Sequence, residues 1–342
     1  MRERHLMGKD MLSLSNTKQR GTYDVLCVGD IFYDLVFLLD DPPSNIPHGG
    51  TAYSPQMRLM PGGIGNVAAG VAALGGLAYL VGRAGNDIFS EMYAQDLRQR
   101  GVDYHMMVDK DKTTGLLTSL VDASGERSFI VHRGANDDLS FTDVLPMLKQ
   151  VKARFLFTAG YSFFSPPQNE AIISIIKHFK ERNTKIIFDP AVFNLVKIRQ
   201  KYYEAALAIS DVILPNAEEA KELSGEQDLM RALCMLSEHR TVILKMGRNG
   251  CLAACNGDII CYPGSLGQAV DTTGAGDAFA AAVIFGFSRG YELEDVLKLA
   301  TWFSGKKVES VGPRSYPAQA DITMFLNKVN GNNRRIVGGQ LT

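Results

Sequence analysis

The 342-residue sequence predicts an α/β fold: a mostly parallel central sheet with crossover helices, carrying a small β-sheet lid. Three observations predict it. Short apolar, β-rich runs alternate with helix-period patterns, which is the rhythm of strand–helix–strand crossovers. Two segments, about 34–60 and 104–133, break that rhythm and read as strands with no helix between them. At about 150 residues per domain the chain holds one large unit or two, long enough to bury a core without staples.

In chain order, residues 1–22 mix Arg2, Glu3, Arg4, Lys9 and Asp10 with Ser and Thr and read as a loose tail. They lack the apolar stretch of a secretory signal. Strands are expected at 25–28, 78–81, 155–158, 185–188, 212–214 and 242–245. Helices are expected at 66–74, 89–98, 168–180, 217–223, 229–237, 278–288 and 293–310. In the second irregular segment, 112–122 and 126–132 flank Ala123-Ser124-Gly125, a hairpin signal. Such an appended sheet suits a lid or a dimer surface. Asn256-Gly257 signals another hairpin, and residues 329–342 read as a second loose tail.

Charge excludes two classes of partner. With 36 Lys+Arg against 37 Asp+Glu there is no electrostatic footprint for nucleic acid or an anionic membrane. The longest nearly pure apolar run, 278–287, falls short of the ~18 residues of a membrane span. The cysteines are Cys27, Cys234, Cys251, Cys255 and Cys261. Counted from the Asn256-Gly257 turn, Cys251 and Cys255 share a face while Cys261, opposite Leu252, faces away. Reduced thiols in a cytoplasmic protein are the expectation, rather than a metal site.

Chemistry concentrates in Asp271-Thr272-Thr273-Gly274-Ala275-Gly276-Asp277. A glycine-rich turn here runs into an apolar helix, whose first amides are unpaired and whose dipole favours an anion. Asp277 within such a cradle reads either as a helix cap or as a base for an attacking hydroxyl. No Gly-x-x-x-x-Gly-Lys-Ser/Thr occurs: upstream of Gly305-Lys306-Lys307 stands Ala300, which excludes a P-loop. The run Gly63-Ile64-Gly65-Asn66-Val67-Ala68 matches Gly-x-Gly-x-x-Ala, but no clean acid follows at about 20 residues, so a dinucleotide site is weakly supported. Asn216-x-x-Glu219 puts two oxygen-bearing side chains one helical turn apart, fit for Mg²⁺ or for an ordinary N-cap.

These two glycine-rich motifs together resemble the signatures of the ribokinase-like sugar and nucleoside kinases. Further matches, in the expected order, are 29–34, 81–87, Gly134-Ala135-Asn136, 216–219 and 245–250, so the resemblance covers about 24–317. It implies a ribokinase-like three-layer sandwich over 23–328 that uses ATP and Mg²⁺. It implies Asp277 as catalytic base and the amides of Gly274, Ala275, Gly276 and Asp277 as an anion hole. Asp34, Gly62, Gly63 and Asn66 would bind the acceptor. Arg133, at the end of the lid hairpin, reads by its position either as a solvated strand-end Arg, the plainer reading, or as a group that reaches an acceptor carboxylate or phosphate. Lys245, Gly247, Gly250 and Thr273 would meet ATP, with 304–312 bordering the adenine. Asn216 and Glu219 would organise Mg²⁺, and Asp271 with Thr273 a monovalent cation such as K⁺. The Asn found two residues before this acid in ribokinases is Phe32 here, which argues against ribose itself. A sugar or sugar acid is the expected acceptor and a nucleoside the alternative, with a homodimer through the lid. A non-catalytic regulator of the same fold is the reading from another class, disfavoured by the presence of Asp277, Gly274 and Gly276.

Overall fold

The protein is described by a computed structural model covering residues 4–7, 11–17, 21–123, 127–191, 200–265 and 267–337. Its strands, in chain order, are β1 (Arg4–Met7), β2 (Met11–Asn16), β3 (Tyr23–Val28), β4 (Phe32–Leu38), β5 (Gln56–Pro61), β6 (Ala78–Gly85), β7 (Asp103–Asp109) and β8 (Gly115–Val121). There follow β9 (Arg127–His132), β10 (Ala153–Ala159), β11 (Lys185–Asp189), β12 (Val212–Ile213), β13 (Thr241–Lys245), β14 (Cys251–Cys255) and β15 (Asp258–Tyr262). The helices are α1 (Gly65–Ala73), α2 (Ile88–Gln99), α3 (Phe141–Leu148), α4 (Gln168–Lys180), α5 (Gln200–Ile209), α6 (Ala217–Ser224), α7 (Leu229–Leu236), α8 (Ala275–Ser288), α9 (Leu293–Lys307) and α10 (Gln319–Val337).

The large sheet runs β1-β2-β7-β6-β3-β10-β11-β12-β13-β14-β15, parallel from β7 to β13 and antiparallel at both ends. Strand alternation builds the three layers. Val25 and Cys27 of β3 join the core under α1, α2, α8 and α9, while Leu26 and Val28 join the core under α3, α4 and α5. Parallel strands bury both faces, which is why β3 is apolar and buried throughout. A separate four-stranded sheet, β5-β4-β8-β9, forms the lid.

Four expectations change. Residues 4–7 and 11–16, read as a loose tail, form strands, and β2 pairs with β7 at the sheet edge. Residues 103–109 belong to the large sheet rather than the lid. β7 is buried along its length and parallel to β6, with its end carboxylates held by Tyr23 and Arg83. The C-terminal tail is helical through Val337. Helices α3 and α5 were not expected; α3 carries Pro146 inside it, which masks its helical pattern. The 251–262 hairpin is as expected: Leu252 faces Cys261, and Asn256 and Gly257 both take positive φ. Among the described residues no group of three His, Cys, Asp or Glu side chains could hold a metal.

Candidate active site

Two helix N-termini meet at one point. Small residues allow it: a Cβ on Gly70 of α1 would lie 2.6 Å from Ala281 of α8, so the two helices pack closely. Their first turns bring Asn66 and Asp277 together, and Asn66 Nδ2 donates to Asp277 Oδ2 at 2.9 Å. Gly274 caps α8 at φ 74, a conformation that favours glycine, and a Cβ there would strike Pro313 at 2.8 Å. The Ala275 amide turns back onto the Thr272 carbonyl (3.1 Å), so the amides of Gly276 and Asp277 are the first-turn donors without an earlier turn to bond.

A cleft of about 270 Å³ opens on one side of this point, lined among others by Lys245, Gly247, Gly250, Thr272, Gly276 and Ser304. Of the expected ATP residues, Lys245, Gly247 and Gly250 line it. Thr273 does not; its amide donates to Asp271 Oδ1 instead (2.9 Å). On the other side the lid delivers Asp34, buried, with Oδ1 lacking a hydrogen-bond partner among the described residues. Burial pushes its carboxyl up to about 7; Arg314 opposes the shift and Asp277 adds to it. Gly62 is needed beside it, because a Cβ there would sit 2.4 Å from Asp34 Oδ1. Gly63, at φ 63, lets the turn pass the Asp30 carbonyl.

Asp277 is held above the ordinary carboxylate range by burial. The Asn66 amide, Lys245 and Arg314 pull it down and Asp189 pushes it up. Asp189, which closes β11, grips Lys245 Nζ with both oxygens (2.8 and 2.6 Å). Asn216 and Glu219 form a reciprocal capping box at the start of α6, each side chain accepting the other's amide at 2.8 Å. Glu219 is nevertheless buried, and its carboxyl is raised by burial and by Asp189 against the pull of Lys245.

Three residues of the site carry no local motif. Arg314 Nε donates to Asn66 Oδ1 (2.9 Å) and Nη2 to Tyr93 (3.0 Å), while Nη1 pairs with Asp96, so the guanidinium fixes which way the Asn66 amide faces. Asp189 is signalled only by an acid closing the apolar strand expected at 185–188. Tyr161 has a buried hydroxyl without a hydrogen-bond partner among the described residues, held well above its usual range by burial and by Asp277, Asp30, Tyr93 and Asp189. Arg133, read as either a solvated strand-end Arg or an acceptor contact, is taken up elsewhere. It binds Asp30 (3.0 and 3.1 Å), Asp137 (2.5 Å), Gln168 (2.6 Å) and the Tyr161 carbonyl (3.2 Å), which pins the lid's exit to the core. Phe32 is buried beneath it, with the Arg133 guanidinium 6.0 Å from the ring centroid.

A model of the pfkB carbohydrate kinase family matches residues 23–320. The ribokinase of Bacillus subtilis is 26% identical over 306 residues, covering 89% of this chain and 99% of that protein. The adenosine kinase of Sinorhizobium meliloti superposes with a TM-score of 0.80 at 26% identity, covering 89% of this chain and 99% of that one. A ribokinase II structure of E. coli in complex with ATP and Mg²⁺ superposes with a TM-score of 0.77 at 25% identity and the same coverage.

Proposed function

The chain belongs to the pfkB family of carbohydrate kinases, ATP-dependent enzymes for sugars and nucleosides, and we propose that it moves the γ-phosphoryl group of ATP to a hydroxymethyl group of a sugar. One observation carries this reading: a raised carboxylate, Asp277, at the start of α8 between the cleft of about 270 Å³ and the lid's buried Asp34, whose Oδ1 has no hydrogen-bond partner among the described residues. Asp34 accepts acceptor hydroxyls, and a carboxylate can accept two at once. Asn66 orients Asp277, which takes the proton from the attacking hydroxyl. The amides of Gly276 and Asp277, with that of Gly274, face the transferring group as charge spreads over its oxygens. Closure of the lid excludes water from the reaction.

Mg²⁺ fits this site through water and phosphate oxygens rather than through a protein cage. Asp189 and Glu219 are hard oxygen donors beside the ammonium of Lys245, and Mg²⁺ is commonly held by one or two carboxylates plus substrate phosphates. When bound, the ion neutralises charge on the β- and γ-phosphates. Asn216 then acts through Glu219, whose carboxylate it steadies with its own amide.

The engagement of Arg133 with Asp30 removes the reason to expect a sugar acid, so a neutral sugar leads; a nucleoside is the alternative, favoured by the likeness to an adenosine kinase. The register places Leu59, Leu35, Thr118 and Ile130 in one row on the lid face opposite Asp34, and Leu59 and Ile130 are exposed. We assign that apolar face to a homodimer. A cytoplasmic location rests on the free thiols. The deciding experiment is ADP release from Mg·ATP across sugars, sugar acids and nucleosides, beside Asp277→Asn. Stimulation by one acceptor, absent in the variant, supports the reading. Equal turnover in both refutes it.

A further inference from the structure

The resemblance implies a monovalent cation at Asp271 and Thr273, and this structure already seats an ammonium against Asp271. Both carboxylate oxygens of Asp271 already accept amides: Oδ1 that of Thr273 and Oδ2 that of Gly312, each at 2.9 Å. Thr273 therefore faces this carboxylate with a donor. The Asp271 carbonyl accepts the ammonium of Lys307, Nζ to O 2.8 Å.

Lys307 is the last residue of α9 and is fully buried. A buried ammonium is costly unless it is paired, so its presence behind the anion cradle calls for a reason. The surroundings supply one. The last turn of a helix favours a cation. The Val308 carbonyl accepts the amides of Val270 (2.7 Å) and Asp271 (3.1 Å), tying the same helix end to the strand of chain that opens the cradle. Three residues beyond Asp271 stands Gly274, and from there the chain enters α8 and presents Gly276 and Asp277. Although burial pushes the Asp271 carboxyl up, the Gly312 and Thr273 bonds and then the Lys307 charge hold it below its usual range.

We infer that Lys307 Nζ is a covalently tethered cation, doing for the 271–277 cradle what a bound monovalent ion would do, so that the enzyme works without K⁺. This rests on the kinase reading above. It predicts that shortening Lys307 creates a dependence on an ion that the parent enzyme ignores.

The test compares the parent chain with Lys307→Ala and the milder Lys307→Gln in KCl, NH₄Cl and choline chloride at equal ionic strength. Two quantities are read: kcat with Mg·ATP and the best acceptor, and the thermal midpoint of the ligand-free protein. The parent should give the same kcat in all three salts within about twofold. Either variant should lose about 10²-fold in choline, the scale of one lost preorganised contact at such a cradle, and regain at least tenfold of it in KCl or NH₄Cl. Its thermal midpoint should rise with either ion while the parent's stays flat. Strong K⁺ activation of the parent would overturn the inference. So would a loss in the variants that neither ion restores, which would make Lys307 a purely structural lysine. If the parent turned over no acceptor at all, the kinase reading would fail, while the thermal midpoints would still decide the tether.

Discussion

Replacing Asp277 by Asn exchanges one carboxylate oxygen for an amide of nearly the same shape. The remaining oxygen can keep the 2.9 Å bond from Asn66, so the first turns of α1 and α8 should stay together. What disappears is the proton acceptor. General-base participation is worth about 10²–10⁴ in rate, or about 2.7–5.4 kcal/mol of barrier. Stability should move the other way. The Asp277 carboxyl is raised in the folded protein, so its ionised form is disfavoured there relative to the unfolded chain. That penalty is present above the folded pKa and is relieved as pH falls through it. The neutral amide removes it, so at pH 7 the thermal midpoint should hold or rise while kcat falls about 10²–10⁴-fold. Coupled ADP release measures the first change, calorimetry the second, and ATP titration checks that the cleft is intact. A kcat within tenfold of the parent would refute the base assignment. A parallel collapse of kcat and thermal midpoint would show that position 277 holds the fold rather than the chemistry.

Arg314→Gln removes the fork that sets the Asn66 amide and a positive charge that holds Asp34 and Asp277 down. Its kcat should fall about tenfold or more, and the acid limb of kcat/KM should move to higher pH; an unmoved limb would make Arg314 purely structural. Arg133→Gln leaves the fully buried Asp30 without its cation, so urea unfolding should show a loss of about 3–5 kcal/mol. The acceptor KM should stay near the parent's, since Arg133 faces Asp30 and not the pocket; a large rise would return it to the acceptor site. Because burial pushes the Asp34 carboxyl up to about 7, acceptor KM should climb as pH drops below that value, by about tenfold per unit well below it. In Asp34→Asn that slope should vanish, and its persistence would place the titration elsewhere.

The part of the site that was legible in the sequence is the part written in unbroken local stretches. Gly274 to Asp277 and Gly62 to Asn66 are turn-to-helix junctions, and each needs its glycines within a few residues of the polar group it frees. Arg314 and Tyr161 were not legible, because a lone Arg after Pro313 and a lone Tyr after Gly160 have no local partner to give them meaning. Their roles come from contacts made across 248 residues, from Arg314 to Asn66, and from burial among carboxylates drawn from a turn, a strand end and a helix start far apart in the chain. The same limit explains the misplaced β7. An apolar run ending in Asp109 looks alike in a lid and in a central strand until β6 is known to lie beside it.

Asn216 and Glu219 show why a local pattern can support two readings at once. The capping box is real, and it was the plainer alternative for that motif. Yet a cap on the surface would leave Glu219 in water, whereas here it is buried beside Lys245 and Asp189. The box uses Oε2 to hold the Asn216 amide, which fixes the carboxylate against the Lys245–Asp189 pair. Residue spacing specifies how a helix begins. What that beginning faces is specified by the sheet order, because β13 lies next to β12 and brings Lys245 to the mouth of α6. The glycine cradle of α8 and the cap of α6 are therefore one arrangement, two helix starts turned toward the same lysine.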